Sequence, residues 1–218
     1  MDHVEARQAG FEAREEREAS AKTITTGSVI EAVGGIGVVV LTILGLVGVV
    51  PEILASVAAI AFGVALAGEG VAVASRFHDL ARAEGAAEKA EIGGGSGSEL
   101  LGGLAGGVLG LLALLGIVPV TLLAVASIVF GASLLLGSAS TARLSSAMAT
   151  NRHPIAQDSV VTAVGAQLLV GIAAVALGII ALTGIVPMTL VLISLLSLGS
   201  AALISGSAVG GAIVSVFS

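Results

Sequence analysis

The chain has 218 residues, of which 56% are hydrophobic and only 11% are charged, and its mean hydropathy is +1.10. A soluble domain carries about 25% charged residues, so this composition is typical of a protein whose solvent is lipid. The net charge of −6 argues against nucleic acid as a partner, and the absence of Cys excludes disulfides and Cys-based catalysis.

The first 27 residues form a charged tail. Between Met1 and Lys22 the large apolar residues are few, chiefly Val4 and Phe11. The tail contains no continuous apolar run, so it does not have the pattern of a signal peptide. We expect it to lie in the cytoplasm, where it offers a docking site for a protein partner.

A short motif, Gly-[Val/Ile]-Val-Pro, occurs three times in the apolar part of the chain. Its copies are Gly48–Pro51, Gly116–Pro119 and Gly184–Pro187, so that successive prolines are 68 residues apart. A leucine follows each proline by three positions and a glycine by twelve. These glycines are Gly63, Gly131 and Gly199. The fixed interval predicts an internal repeat.

Each copy of the motif separates two apolar runs. The first runs cover roughly Val29–Val47, Leu100–Leu115 and Leu168–Thr183, and the second runs cover Ile53–Ala74, Val120–Ala139 and Met188–Val216. Apolar runs of about 20 residues span a bilayer as helices. Gly ends the first helix of a pair, and Pro is tolerated in the first turn of the second. The sequence therefore predicts an all-α, polytopic membrane protein with six transmembrane helices in three hairpins.

The polar stretches divide the chain into six predicted segments. These are a charged cytoplasmic tail (1–27), hairpin repeat 1 (28–75), a cytoplasmic loop with a Gly/Ser linker (76–98), hairpin repeat 2 (99–142), a second cytoplasmic loop (143–163) and hairpin repeat 3 (164–218). All nine Lys and Arg residues lie in the tail or the two loops. By the positive-inside rule, both termini are predicted to be cytoplasmic in a multi-pass protein of the cell (inner or plasma) membrane.

One polar position recurs in the first helices. Glu31, Glu99 and Gln167 each lie twenty residues before a motif proline, and a glycine follows each of them by four positions on the same helix face. The favoured interpretation is an interfacial side chain that reaches headgroup water near the cytoplasmic helix end. The alternative is a polar ring that serves ions, protons or polar solutes.

Glu69 is the deepest acid of the second helices, and its repeat equivalents are Gly137 and Ser205. We expect its carboxylate to be drawn toward Arg76 or the headgroups, and a functional acid is the alternative. Polar residues within the helices, such as Ser127 and Ser194, are expected to bond back to their own helix.

The sequence contains no convincing catalytic, cofactor-binding or metal-ligand pattern. Its three histidines lack metal-ligand spacing, and the glycine patterns are typical of helix packing because no strand precedes them. We therefore predict a protein that is not an enzyme and needs no cofactor.

Three helical hairpins with Gly-Ile-Val-Pro at the turn, followed by a leucine and later by a glycine such as Gly131 or Gly199, resemble the HdeD-like family of small bacterial membrane proteins. The resemblance covers residues from about Val29 to the C-terminus. It implies repeated pairs of short helices and an association with acid resistance.

Three functions remain open at this point. The first is a non-enzymatic membrane scaffold or accessory protein in a homo-oligomer or a larger membrane complex. Small residues recur seven apart on the second helices, such as Gly131 and Ser138, and some of these stripes are predicted to face another protomer. The second is a small permeation protein for protons, ions or solutes with a stress role, whose path Glu31, Glu99 and Glu69 would line. The third is an accessory subunit whose tail binds a cytoplasmic protein.

Overall fold

The computed structural model describes residues 33–83, 94–148 and 154–217. Over these ranges the chain is helical apart from three short turns, and no strand is present in them. The helices are α1 (Val33–Leu46), α2 (Pro51–Ala83), α3 (Gly94–Leu114), α4 (Pro119–Met148), α5 (Pro154–Leu182) and α6 (Pro187–Phe217). The prediction of an all-α fold is confirmed.

Five of the six helices are long and apolar enough to cross a membrane. Their spans are Pro51–Val71, Gly97–Leu114, Pro119–Ser138, Gly165–Leu182 and Pro187–Ser205. The sixth helix, α1, is also apolar, but its described part is shorter. Length and composition thus define a polytopic membrane protein, as the sequence predicts.

All four prolines of the chain stand at the first residue of a helix. Proline suits this position because its fixed φ angle is helical and its missing N–H group has no partner there in any case. Pro154 lies within the predicted loop 143–163, so α5 begins earlier than expected, and α4 continues to Met148. Gly94–Ser98, expected as flexible linker, begins α3, since Gly and Ser are well accepted where a helix starts.

The three turns share one way of ending the first helix. Gly48, Gly116 and Gly184 have φ angles of 97°, 82° and 86°, which favour glycine because it lacks a Cβ atom. In the first turn the Gly48 amide donates to the Gly45 carbonyl at 3.0 Å, and the Val49 amide donates to the Leu44 carbonyl at 3.1 Å. This pair of bonds is a Schellman cap, which satisfies the last carbonyls of the helix.

The valine before each motif proline starts the second helix in a strained conformation. Val50, Val118 and Val186 have φ angles of 37°, 39° and 41°, a region that β-branched residues rarely adopt. Their carbonyl groups accept the first helical hydrogen bonds, from the amides of residues 54, 122 and 190 at 3.1–3.2 Å. The three turns therefore have similar backbone conformations. That the whole hairpins are structural repeats stays a prediction.

The six helices form a closed ring. Helices α2, α4 and α6 contact one another at the centre, α3 packs against α2 and α4, and α5 packs against α4 and α6. Helix α1 packs between α2 and α6, because Gly34 lies against Ala65 and Gly35 against Gly199. The second helix of each hairpin therefore contacts the first helix of the next, and the last contacts the first.

Close pairs of glycines hold these contacts between hairpins. A methyl group added at Gly63 would lie 2.6 Å from the Gly103 carbonyl oxygen, and one at Gly131 would lie 2.6 Å from that of Gly171. No side chain fits at such distances, so the backbones touch directly. Gly63, Gly131 and Gly199, which the sequence predicts as helix-packing residues, make these contacts inside one chain. Oligomerisation itself stays a prediction.

The centre of the bundle is filled by side chains from α2, α4 and α6. The rings of Phe62 and Phe130 meet edge to face, with centroids 4.9 Å apart, and Leu198 completes this layer. Leu66 and Leu134 close the layer beside it. Toward the turns the buried residues include Leu123, Val191 and Leu195. The described core thus contains no open axial path.

Candidate functional site at the polar end of the bundle

Glu99 is a buried acid close to the start of the α3 span, with only 5% of its surface exposed. Its carboxyl group lies against Gly137 of α4, in the space where a side chain at that position would begin. The Cδ atom of Glu99 would be 2.7 Å from a Cβ atom at Gly137. Glu99 therefore does not reach headgroup water as expected, because the absence of a side chain at Gly137 leaves room for it within the protein.

Glu69 and Gln167 line one small cavity of about 10 Å³, together with Ser205 and the apolar layer of Phe62, Leu66, Leu134 and Leu198. This volume holds about one water molecule. The structure thus brings together two of the four predicted polar positions. Ser205, which the sequence marks only as the repeat equivalent of Glu69, is a third member. The sequence feature that could have identified Ser205 is the 68-residue interval, which relates it to Glu69.

The remaining predicted positions are separate from this cavity or outside the described residues. Glu99 is not among the residues that line this cavity, and it lies against Gly137, which is the repeat equivalent of Glu69 and Ser205. Glu31 lies outside the described residues, and so does the side chain of Arg76.

The polar positions lie at one level of the bundle, at the end opposite the turns. Glu69 follows Pro51 by 18 residues, which corresponds to about 27 Å at helical rise. The hydrocarbon core of a bilayer is about 30 Å thick, so this level lies near its edge. The cluster therefore lies close to one membrane surface. The layer of Phe62, Phe130 and Leu198 separates it from the other surface.

Ser127 and Ser194 differ in their hydrogen bonding. The Ser127 hydroxyl donates to the Leu123 carbonyl at 3.1 Å, which confirms the expected bond to its own helix. Ser194 is fully buried, and its hydroxyl has no hydrogen-bond partner among the described residues. The expectation for Ser194 is therefore wrong.

Within the described ranges, no three His, Asp or Glu side chains lie close enough together to hold a metal ion. The polar end offers carboxyl, amide and hydroxyl groups, each packed among apolar neighbours. These groups can bind a water molecule or hold a proton.

The ring of apolar helices defines a multi-pass helical membrane protein with a small polar cluster at one end. No protein-family model matches the chain, and no curated protein or solved structure is significantly similar to it. The resemblance to the HdeD-like family therefore stays a prediction.

Proposed function

We propose that this protein is a non-enzymatic membrane scaffold or accessory subunit that does not conduct ions. The observation that supports the proposal is the filled centre of the ring. Phe62, Phe130 and Leu198 meet there, and Phe130 and Leu198 are fully buried. A conduit needs polar groups along its whole length, since an ion that leaves water needs replacement ligands at every step.

The apolar barrier extends from this layer toward the turns. Ala55, Leu123 and Val191 occupy equivalent positions on α2, α4 and α6, and all three are fully buried. From Val191 to Leu198 the helix rises about 10 Å. A dry segment of this length opposes any charged solute strongly.

A liposome flux assay between pH 4 and 7 tests the proposal. We expect proteoliposomes to show no proton or ion flux above protein-free liposomes, and Glu69→Gln and Glu99→Gln to leave this result unchanged. Glu52→Gln, at the exposed start of α2, is the matched control. A flux that Glu69→Gln or Glu99→Gln abolishes, while Glu52→Gln retains it, overturns the scaffold proposal.

The cavity shared by Glu69, Gln167 and Ser205 favours a second candidate, a small permeation protein with a stress role like that of the HdeD-like family. An acid beside a water-sized space is a feature of proton relays. This candidate requires the layer of Phe62, Phe130 and Leu198 to open. A flux that Glu69→Gln or Glu99→Gln abolishes would support this second candidate.

The proposal includes an orientation and a set of partners. We place both termini and the polar end on the cytoplasmic side of the cell membrane, because all nine basic residues lie in the tail and the two loops. The charged tail is then available to a cytoplasmic protein. Labelling of Glu52→Cys in this Cys-free chain tests the orientation, and a reagent confined to the cytoplasm should leave it unlabelled.

Lipid and other subunits are proposed to contact the outer helices. Leu101, Leu104 and Val108 of α3 are 68%, 55% and 54% exposed, and they form a continuous apolar face. A homo-oligomer or a larger membrane complex would use such faces, since the glycines are occupied within the chain.

A further inference from the structure

The turn of the second hairpin exposes apolar side chains only. From Leu111 to Val120 the chain has no polar side chain, and Leu115, Ile117 and Val118 are each more than half exposed. Turns that face water are rich in Asn, Asp and Ser, because these side chains bond to nearby backbone and to solvent. The composition of this turn therefore indicates that its surroundings are not aqueous.

The turn of the third hairpin has nearly the same pattern. Ile185 and Val186 are more than half exposed, and Thr183 is the one polar residue from Ile179 to Met188. The Thr183 hydroxyl donates to the Ile180 carbonyl at 2.7 Å, so its proton does not require water. Both turns therefore lack a charged side chain and a free hydroxyl proton.

The backbone amides of the second turn are bonded within the hairpin. Those of Leu115, Gly116 and Ile117 donate to carbonyl groups of α3 at 2.9–3.2 Å, and Pro119 has no amide proton. The Val118 carbonyl accepts the first helical hydrogen bond of α4. Irregular backbone is excluded from the middle of a bilayer, because its unsatisfied polar groups are costly there. At the hydrocarbon boundary, the remaining carbonyl groups of such a turn reach headgroup water while its side chains stay in lipid.

The height of the bundle agrees with this boundary position. Gly137, which lies against the buried Glu99 at the polar end, follows Pro119 by 18 residues, about 27 Å at helical rise. The hydrocarbon core of a bilayer is about 30 Å thick, so that a polar end at one edge places the turn about 3 Å inside the other. Tilting of the helices brings the turn deeper still.

We propose that the turns of the second and third hairpins insert into the hydrocarbon boundary of the leaflet opposite the polar end, so that lipid is the partner of this surface. Their exposed Ile and Val side chains serve as anchors in a chain that has no Trp or Tyr for an interfacial belt. A soluble protein on that side meets no charged group at either turn. This placement is independent of whether the protein is a scaffold or a conduit.

The first hairpin differs from the other two and provides an internal comparison. Glu52 follows its proline, where the second and third hairpins have Val120 and Met188. A carboxylate is expensive in hydrocarbon, so Glu52 stays among the headgroups and in contact with water. The three hairpins thus combine two turns that are inserted in lipid with one that remains at the polar surface.

Spin labels on single cysteines test the placement in liposomes, since the chain has no Cys of its own. Ile117→Cys and Ile185→Cys carry the label in the two inserted turns. Leu104→Cys, exposed in the middle of the α3 span, is the hydrocarbon reference, and Glu52→Cys is the matched position at the first turn. Collisions of each label are measured with oxygen, which dissolves in hydrocarbon, and with a polar nickel chelate present on both sides of the bilayer.

We expect the ratio of oxygen to chelate collisions at positions 117 and 185 to match that at position 104. It should exceed the ratio at position 52 about tenfold, because a polar solute is excluded from hydrocarbon. Ratios at 117 and 185 equal to that at 52 would overturn the proposal, since all three turns would then lie in water. Low collision rates with both reagents at 117 and 185 would also overturn it, because protein and not lipid would then cover these turns.

Discussion

The carboxyl group of Glu99 occupies the space directly above Gly137, so that one residue requires the absence of a side chain at the other. Gly137→Ala should therefore destabilise the protein by about 1–3 kcal/mol, the usual cost of overpacking a core. In a Glu99→Ala background the same substitution should cost much less, because the space is then free. Thermal unfolding in detergent measures both.

Gly68→Ala on α2 is the control for this pair, since a methyl group there meets no neighbour within 4 Å. It should leave the unfolding temperature of either background near its starting value. If Gly137→Ala were equally costly with and without Glu99, the close contact would not exist.

A leucine at Gly131 should prevent the folding of a single chain. A methyl group there already lies 2.6 Å from the Gly171 carbonyl oxygen, so that a larger side chain forces α4 and α5 apart. We expect Gly131→Leu to lower the unfolding temperature strongly or to abolish the folded monomer. Gly165→Leu, on the exposed side of α5, is the matched control and should be tolerated. A folded Gly131→Leu monomer that has lost only its dimer would restore the oligomer interpretation of this glycine.

Glycine in place of the strained valine should stabilise a turn. Val118 has a φ angle of 39°, and relief of such strain is worth about 1 kcal/mol after the entropy cost of glycine. Val118→Gly should therefore raise the unfolding temperature. Ile117→Gly, in the same turn but without a positive φ, should lower it. A lower temperature for both variants would contradict the left-handed conformation.

The turns were predictable because they depend on local sequence. Gly116 ends one helix and Pro119 begins the next for reasons that concern only their neighbours, and the 68-residue interval repeats the signal. The helix ends at Met148 and Pro154 are not predictable in this way, because polar residues occur both in loops and in helices that extend beyond a membrane.

The partners of the glycines and of Glu99 were not predictable from local sequence. The sequence around Gly131 is compatible with a contact to α5 or to a second protomer. Only the arrangement of the helices shows that it contacts α5. The sequence predicts that Glu99 reaches headgroup water, because nothing near it in sequence indicates that Gly137 leaves room for a buried carboxyl group. A groove between α5 and α6 depends likewise on residues of two helices, since Val170 and Ala201 both line it.

The closed ring is the central claim about the fold, and it requires the first helix, α1, to pack against the last, α6. A Cβ atom at Gly199 would lie 2.9 Å from the Cβ atom of Val38, which a small shift brings to the separation of about 3.8 Å found in disulfides. The chain has no cysteine of its own, so a bond between Val38→Cys and Gly199→Cys is unambiguous. Val40→Cys with Gly199→Cys is the control, since Val40 is half exposed. Oxidation in native membranes should cross-link the first pair within a single chain and leave the second pair free. Equal cross-linking of both pairs, or none of the first, would contradict the ring.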